Sequence, residues 1–337
     1  MKSKYLEMEL RTSPHASQPV DVPIIMRNVV YSMLPLVAMA FYLFGLAALL
    51  QVVVATASAL GTEYLISRWA DRRNTLTDFS AAITGILLGL TLPPAFPLWM
   101  TTVGGIASIA LGKSLFGGLG FNSFNPALVG RAFLQAAFPV AITTWSLPFA
   151  TDRFVSLPQS LLAIPLMKAA PLATTGATPL GAFKFDGVST GEMSLMIGTT
   201  AGSVGETSAG LILLCGLYLA VRKMLDWRIP VGVLGSVFVL SGFLHWMMPD
   251  LPSPWFMLFS GGLMLGAFFM ATDMVTSPVT PLGVWLYAML IGVLTVVIRL
   301  WGGLPEGVMY AILLGNAVTP LLNLVTQPRI YGQKAKA

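Results

Sequence analysis

The sequence predicts an all-α membrane protein of about ten transmembrane helices, arranged as two inverted five-helix repeats. Of its 337 residues, 55% are hydrophobic and 10% are charged, whereas a soluble globular domain carries about 25% charged residues. Long apolar runs alternate with short polar breaks, which is the pattern of a chain that crosses a bilayer many times. The third observation is a weak similarity between the two halves of the chain.

Ten apolar stretches of roughly 15 to 25 residues each match a hydrocarbon core about 30 Å thick. They lie approximately at 25–44, 46–67, 78–93, 97–114, 124–142, 207–222, 229–247, 255–272, 281–298 and 306–325. Little more than Gly45 separates the first two. The first stretch follows a polar segment and is too long for a signal-peptide core, so no cleavable signal is expected.

Lysine and arginine placement predicts the orientation, because cytoplasmic loops are enriched in both residues. The basic segments are a loop with Arg68, Arg72 and Arg73, a loop with Arg222, Lys223 and Arg228, and a C-terminal tail with Arg329, Lys334 and Lys336. The short loops near 93–97 and 249–254 have neither residue. Both termini are therefore expected in the cytoplasm, and the long connection 143–206 on the periplasmic side of a cell inner membrane.

The two halves resemble each other in sequence. The segment LFGGLGFNSFNPALVGR at 115–131 aligns without a gap on LWGGLPEGVMYAILLGN at 300–316. Since five spans precede the long connection, the second half starts from the opposite side, and the repeat is inverted. The predicted divisions are a tail (1–24), a first repeat (25–142), an extracytoplasmic loop (143–206), a second repeat (207–325) and a tail (326–337).

Composition excludes several classes of redox centre. The single cysteine, Cys215, makes neither a disulfide within the chain nor a cysteine-ligated cluster or zinc site. The two histidines, His15 and His245, stand in a polar tail and near the end of a span, and are not expected to pair on a haem. In a membrane protein, a net charge of +5 mostly reflects the lysines and arginines of the cytoplasmic loops. No nucleic-acid partner is therefore expected. A redox centre here must come from something other than a protein-ligated metal.

The strongest motif lies in the long connection, as LATTGATPL at 172–180. Gly176 and Ala177 leave the hydroxyl of Thr178 unobstructed, and Pro179 favours an extended backbone at Thr178. The hydroxyl is therefore expected to project from an accessible, non-helical segment. Composition alone is equally typical of an ordinary turn.

The segment TGATPL at 175–180 resembles the flavinylation motif of the NqrB/RnfD family. The resemblance implies that a flavin transferase attaches FMN through a phosphoester to Thr178. Thr175, Gly176 and Ala177 then fill the recognition positions. The motif's leading Asp is replaced by Leu172, which bears on recognition by the transferase and not on the acceptor itself.

Three further stretches resemble the family. In GSVGETS at 202–208, Ser203, Glu206 and Thr207 are candidate flavin contacts at a helix N-terminus, or a simple cap. In NSFNPA at 122–127, Asn122 and Asn125 are candidates to hydrogen-bond an isoalloxazine, or to cap the helix before Pro126. In ATDMVTSP at 271–278, Asp273 is a candidate for an ion path or a second flavin, or an interfacial carboxylate.

Charged residues in apolar surroundings complete the candidates. Arg131 lies in an apolar run, so it is expected to pair with a phosphate or with a carboxylate of a neighbouring helix. Four other charged residues near span ends are interpreted as interfacial side chains that snorkel, namely Glu63, Lys113, Arg299 and Glu306.

The resemblance covers about 25–330 and is closest to the Rnf branch of the family. It implies a urea-transporter-like fold and a flavin-carrying subunit of a ferredoxin:NAD oxidoreductase complex that moves Na+ or H+. The implied partners are subunits of types A, B, C, E and G, with ferredoxin and NAD bound by those partners, because this chain has no dinucleotide-binding fingerprint and no iron–sulfur ligands. Non-covalent riboflavin is a further expectation. The flavin would relay electrons on the protein scaffold.

Two alternatives remain open at this point. One is an NqrB-type subunit of a Na+-translocating NADH:quinone reductase, which shares the family and differs in electron acceptor. The other is a urea- or ammonium-channel-like transporter without redox function, which the inverted repeat also suits.

Overall fold

The computed structural model of the protein describes residues 21–70, 75–165 and 175–327. These residues are mostly helical, and their strands form one two-residue antiparallel pair. Five helices are long and apolar enough to cross a membrane. They are α1 (Val22–Phe44), α2 (Leu46–Trp69), α10 (Arg228–Met247), α13 (Pro281–Trp301) and α14 (Val308–Val325). The all-α, multi-pass membrane class is confirmed.

The other elements are shorter. In the first half they are α3 (Ser80–Thr91), α4 (Leu98–Gly112), α5 (Pro126–Ala137) and α6 (Pro139–Ile142). The long connection contains β1 (Trp145–Ser146), β2 (Thr175–Gly176), α7 (Pro179–Gly181), a π-helical turn (Ala182–Asp186) and α8 (Glu192–Ile197). The second half adds α9 (Ala209–Val221), α11 (Pro254–Phe259), α12 (Leu263–Leu265) and a π-helical turn (Gly266–Met270). Turns of 3-10 helix lie at Leu76–Asp78, Ser114–Phe116 and Gln159–Leu162.

Gly45 separates α1 from α2, as the sequence indicates. Its φ is +69°, and a Cβ built there would lie 1.9 Å from the carbonyl oxygen of Arg153. The long connection holds this break: Phe149 N–H donates to the Leu43 carbonyl, and Leu46 N–H donates to the Arg153 carbonyl, each at 3.0 Å. Glycine is required because both its conformation and the close approach exclude a side chain.

Several predicted spans are shorter or broken. At 1.5 Å per residue, α3 and α9 are about 18 and 20 Å long, less than the hydrocarbon core. The expected span 124–142 stops at Phe138, before Pro139, and the expected span 255–272 is divided among α11, α12 and a π-helical turn. The count of ten crossings therefore stays a prediction.

The turn between α3 and α4, one of the two short loops without lysine or arginine, is buried within the protein, and the side of the membrane on which it lies stays a prediction. All of residues 92–97 are buried. Val204 N–H donates to the Leu92 carbonyl at 3.0 Å and Gly205 N–H to the Leu90 carbonyl at 2.7 Å, and the Gln51 amide donates to the Phe96 carbonyl. Partners distant in sequence thus replace water for the backbone groups that a helix break exposes.

Among the described residues, both halves contribute to the largest apolar cluster of the interior, and three smaller clusters accompany it. Within the first half α2 packs against α3 and α4, and within the second half α10 packs against α11 and α13. Helix α1 contacts α9, which joins the halves. Small residues allow close approach: a Cβ on Gly85 would lie 2.4 Å from the Thr56 Cα, the kind of contact that drives helix association where lipid removes the hydrophobic effect.

Candidate cofactor site

Thr178 lies in a short segment, residues 175–181, hereafter the acceptor segment. Its strand β2 pairs with β1, with Gly176 opposite Trp145. Thr178 itself has an extended backbone (φ −66°, ψ 153°), so the expected influence of Pro179 is confirmed. Its hydroxyl accepts a hydrogen bond from Gly181 N–H at 3.1 Å and thereby caps α7.

The expected accessibility of Thr178 is wrong for this conformation. The residue is 6% exposed, because α7 begins directly after it and packs inward through buried Leu180. Thr175 and Ala177 remain exposed, and Gly176 is half-buried. Leu172, where the sequence departs from the family motif, lies outside the described residues. Thr178 therefore faces the interior of the site rather than open solvent.

A cavity of about 410 Å³ lies beside the acceptor segment, hereafter the main cavity. It opens between this segment, α5 and the connection from α13 to α14. Its aromatic and apolar lining includes Leu128, Ile142, Trp145, Phe185, Met270, Val308, Met309 and Tyr310, and its polar lining includes Arg131, Gln135, Thr143, Thr178, Asp186, Glu206 and Glu306. Sites for small organic ligands enclose about 300–1,000 Å³ with mostly apolar walls and few polar groups. The main cavity has that character.

Three charges meet at the wall of this cavity. The Arg131 guanidinium donates from Nη1 to Glu206 Oε1 at 2.7 Å and from Nη2 to Glu306 Oε2 at 2.6 Å. The Arg131 and Glu206 side chains are 8% and 5% exposed, and that of Glu306 is 23% exposed. These three residues, the charge triad, tie α5 to the start of α9 and to the α13–α14 connection. The expected carboxylate partner of Arg131 is therefore confirmed, and Glu206 is an ion-pair partner rather than a helix cap.

Glu306 and Arg299 are not the snorkelling interfacial residues that the sequence predicts. Glu306 belongs to the charge triad. The Arg299 guanidinium is buried and donates to the carbonyls of Met257 at 2.6 Å and Ser260 at 2.9 Å. A charge in an apolar stretch needs a partner, and the unpaired Arg131 was the signal in the sequence that a carboxylate such as Glu306 had to face it.

Lys184 is a further site residue that the sequence analysis did not single out. Its ammonium donates to the carbonyl oxygens of Arg299, Gly302 and Leu304, at the end of α13 and in the connection that carries Glu306. Burial lowers the pKa of Lys184. Burial also raises the pKa of the Glu306 carboxyl, while the adjacent Arg131 guanidinium opposes that rise.

A small enclosed space of about 20 Å³, hereafter the rear chamber, lies behind Thr178. Ser203, Thr207, Glu206 and Glu306 line it together with Thr178. The Ser203 residue is 1% exposed and its hydroxyl has no hydrogen-bond partner among the described residues. The helix cap of α9 comes from Ser208, which accepts from Leu211 N–H at 3.4 Å. Ser203 and Thr207 therefore belong to the site rather than to the cap.

The remaining candidates lie elsewhere. Asn122, Asn125 and Asp273 line a second cavity of about 90 Å³. Asn125 caps α5 by accepting from Ala127 N–H at 3.0 Å, which confirms the capping interpretation, and it also donates to the Met270 carbonyl at 3.1 Å. Asp273 accepts from Val275 N–H at 3.3 Å. The structure therefore places these three residues away from the acceptor segment, the main cavity and the rear chamber.

Lys113 also lines the second cavity. Its ammonium forms an ion pair with Glu63 at 2.7 Å, and the two side chains are each 4% exposed. Lys113 also donates to the Ser80 hydroxyl. The interpretation of Glu63 and Lys113 as snorkelling interfacial charges is wrong, because each neutralises the other inside the protein.

Comparison with known proteins identifies the family of the chain. A sequence profile of the NQR2, RnfD, RnfE family matches residues 9–332. The chain is 40% identical over 340 residues to a subunit of the proton-translocating ferredoxin:NAD(+) oxidoreductase complex of Clostridium ljungdahlii, with 96% of each chain covered. It is 38% identical over 327 residues to a subunit of the Na(+)-translocating ferredoxin:NAD(+) oxidoreductase complex of Acetobacterium woodii, covering 97% of this chain and 96% of the relative.

A third relative extends the same pattern. It belongs to the ion-translocating oxidoreductase complex of Alcanivorax borkumensis and is 40% identical over 338 residues, with 96% of each chain covered. All three relatives are the D component of their complexes. The profile match and these full-length similarities have one consequence: the chain belongs to the NQR2, RnfD, RnfE family.

Proposed function

We propose that this chain holds FMN, esterified through its phosphate to Thr178, and acts as an electron-carrying membrane subunit of an Rnf-type ferredoxin:NAD oxidoreductase. The observation that carries the proposal is the position of Thr178. The threonine that the family motif marks as acceptor lines a cavity of about 410 Å³, which is large enough for an organic cofactor.

The cavity lining suits a flavin. Trp145, Phe185 and Tyr310 offer aromatic surface for a planar ring system, and Arg131 supplies a guanidinium that matches phosphate geometry. The two carboxylates of the charge triad restrain that guanidinium, so its orientation is fixed before a ligand enters. When bound, the flavin supplies one- and two-electron redox chemistry, and the protein supplies position and electrostatics.

Attachment requires the acceptor segment to open. In the folded conformation the Thr178 hydroxyl is engaged with Gly181 N–H and the residue is buried. A flavin transferase needs that hydroxyl as a free nucleophile. We therefore place flavin attachment before the acceptor segment closes over the main cavity, with β2 and α7 as the elements that move.

The complex and its coupling follow from the relatives. They are named as subunits of complexes that translocate protons in one case and Na(+) in another, so either ion fits this chain. Subunits of types A, B, C, E and G are the expected partners, and they bind ferredoxin and NAD. The bilayer is the inner membrane, with both termini cytoplasmic and residues 143–206 periplasmic.

Paired packing contacts support the inverted repeat of the urea-transporter-like type. A Cβ on Gly105 of α4 would lie 1.9 Å from the Ser58 hydroxyl of α2, and a Cβ on Gly292 of α13 would lie 1.8 Å from the Ser236 hydroxyl of α10. Each serine also donates to the carbonyl three residues earlier, at 2.9 Å in both cases. The same contact thus recurs at matching places in the two halves.

Non-covalent riboflavin does not fit the second cavity as it stands. Asn122 and Asn125 offer amide groups there, but the enclosed volume of about 90 Å³ is below the range of about 300–1,000 Å³ for organic ligands. No step of the proposed function therefore passes through a second flavin.

The alternatives have less support. A quinone-reductase subunit of the NqrB type shares the family, but two of the three relatives above carry ferredoxin:NAD(+) names. A urea- or ammonium-channel-like transporter needs neither the acceptor motif nor the charge triad beside it.

The test is in-gel fluorescence of the denatured chain, purified from cells that express a flavin transferase. We expect a fluorescent band for the wild type. Thr178→Val removes it, since valine has no hydroxyl, and Thr178→Ser keeps it. Thr151→Val, at an exposed position of the same long connection outside the motif, is the matched control for a change of the same size. A wild-type chain without fluorescence, or a Thr178→Val band of unchanged intensity, contradicts the proposal.

A further inference from the structure

The charge triad contains one positive and two negative side chains. One guanidinium, that of Arg131, contacts two carboxylates, Glu206 and Glu306. Arg299 adds a second positive charge near both glutamates, but its guanidinium is bonded to backbone carbonyls and to neither carboxylate. The cluster of these four side chains is therefore electroneutral while both glutamates are ionised.

An electroneutral cluster in a buried site responds strongly to added charge. Little solvent is present in the main cavity to screen a negative charge that enters it. The two carboxylates therefore repel such a charge strongly. Protonating one carboxylate restores neutrality at lower cost than separating the ion pairs. The question is which of the two glutamates takes the proton.

Exposure and contacts separate the two glutamates. Glu206 is 5% exposed at its side chain, and a Cβ on Gly262 would lie 2.5 Å from its Oε1, so backbone encloses it. Both glutamates line the main cavity and the rear chamber, but the Glu306 side chain is 23% exposed. Solvent therefore reaches Glu306 more readily than Glu206.

The rear chamber is large enough for a water molecule, which can exchange a proton with a glutamate. Its volume of about 20 Å³ exceeds the roughly 10–15 Å³ that one water molecule needs. The unpaired Ser203 hydroxyl faces a space that the two glutamates also line, and a buried hydroxyl without a partner is unfavourable. The chamber therefore has room for one water molecule beside Ser203 and the two glutamates.

We propose that Glu306 is a protonation site that takes up one proton when an electron enters the main cavity and releases it when the electron leaves. This inference rests on the proposed function for the source of the electron. On reduction, one electron passes from a ferredoxin-class donor, through the partner subunits, to the flavin proposed for the main cavity, and the Glu306 carboxylate takes one proton from the solvent, while Arg131 stays paired with Glu206. On reoxidation both leave, so charge and protons balance.

Other titratable groups around Glu306 do not compete for the proton. Tyr310 on α14 and Asp186 on the acceptor side also line the main cavity, and Lys184 bonds to carbonyls of the connection. Asp186 is exposed to solvent, so added charge in the cavity is screened there. The raised pKa of Glu306, due to burial, agrees with its choice as the proton acceptor.

The test is infrared difference spectroscopy of the purified holoprotein in its oxidised and reduced states. We expect a carbonyl band of a protonated carboxylic acid to appear on reduction. Glu306→Gln abolishes that band and Glu306→Asp shifts it, with each difference spectrum scaled to the flavin content of that variant. Glu192→Gln is the control, because Glu192 accepts a hydrogen bond from Ser253 at 2.7 Å outside the site.

The outcomes separate the two claims. A reducible wild-type flavin without a new carboxylic acid band, or a band that persists in Glu306→Gln, overturns the protonation site. A wild-type protein without flavin contradicts the proposed function instead. In that case a pH titration of the same band in the flavin-free chain decides whether Glu306 binds a proton, and a band insensitive to Glu306→Gln overturns the inference.

Discussion

Replacing Arg131 by methionine tests the electrostatic core of the site. The change leaves Glu206 and Glu306 facing each other without the guanidinium that now bonds both, at 2.7 and 2.6 Å. Removing one member of a buried ion pair costs about 3–5 kcal/mol. Because Glu306 is 23% exposed, solvent relieves part of this, and we expect a loss of about 3 kcal/mol, roughly a hundredfold in the unfolding equilibrium.

The assay is reversible unfolding in mixed detergent micelles, followed by tryptophan fluorescence. Arg222→Met is the matched control: Arg222 is exposed and lies 5.8 Å from the centre of the Tyr218 ring, so we expect a loss of at most about 1 kcal/mol. Combining Arg131→Met with Glu206→Gln and Glu306→Gln removes the uncompensated charges, and we expect it to recover most of the lost stability.

Two results refute this reasoning. A loss for Arg131→Met no larger than that for Arg222→Met shows that the triad is not held in a low-dielectric site. A triple variant as unstable as Arg131→Met alone shows that the guanidinium stabilises the fold by packing rather than by charge.

Three further variants test the surroundings of the site. Gly262→Ala places a methyl group 2.5 Å from Glu206 Oε1, so we expect less flavin per protein, measured by absorbance. Gly235→Ala is the control: a Cβ there has nothing within 4 Å, and we expect the flavin content to stay unchanged. Lys184→Met removes the donor to three carbonyls, and we expect about 1–3 kcal/mol lower stability in the unfolding assay. Gln51→Leu leaves the Phe96 carbonyl of the α3–α4 turn without its donor, with an expected loss of similar size by the same assay. Full stability of the last two variants contradicts the assigned hydrogen bonds.

Hydropathy and motif chemistry predict the fold class and the break at Gly45, but not the helix breaks within the predicted spans. Apolar runs predict the membrane class, and Gly45 marks the α1–α2 break, because both are local properties. The breaks within 255–272 escape hydropathy, since the residues around them stay apolar. They are stabilised by distant partners, such as Asn125, which donates to the Met270 carbonyl.

In the site, too, local sequence features predict some residues, whereas other contacts depend on the tertiary structure. The motif predicts Thr178, and local chemistry predicts the cap at Asn125. Which charges meet is a tertiary property: Arg131 and Glu306 are 175 residues apart, and in the sequence each is an isolated charge. The burial of Thr178 likewise depends on the cavity wall, which no local pattern encodes.

Peptide mass spectrometry of residues 169–184 tests the central claim most directly. The peptide would come from a chain purified from cells that express a flavin transferase. We predict a mass increase equal to one FMN esterified with loss of water, with fragmentation placing it on Thr178. An unmodified peptide, or an adduct on Thr175 with Thr178 unchanged, would contradict the account.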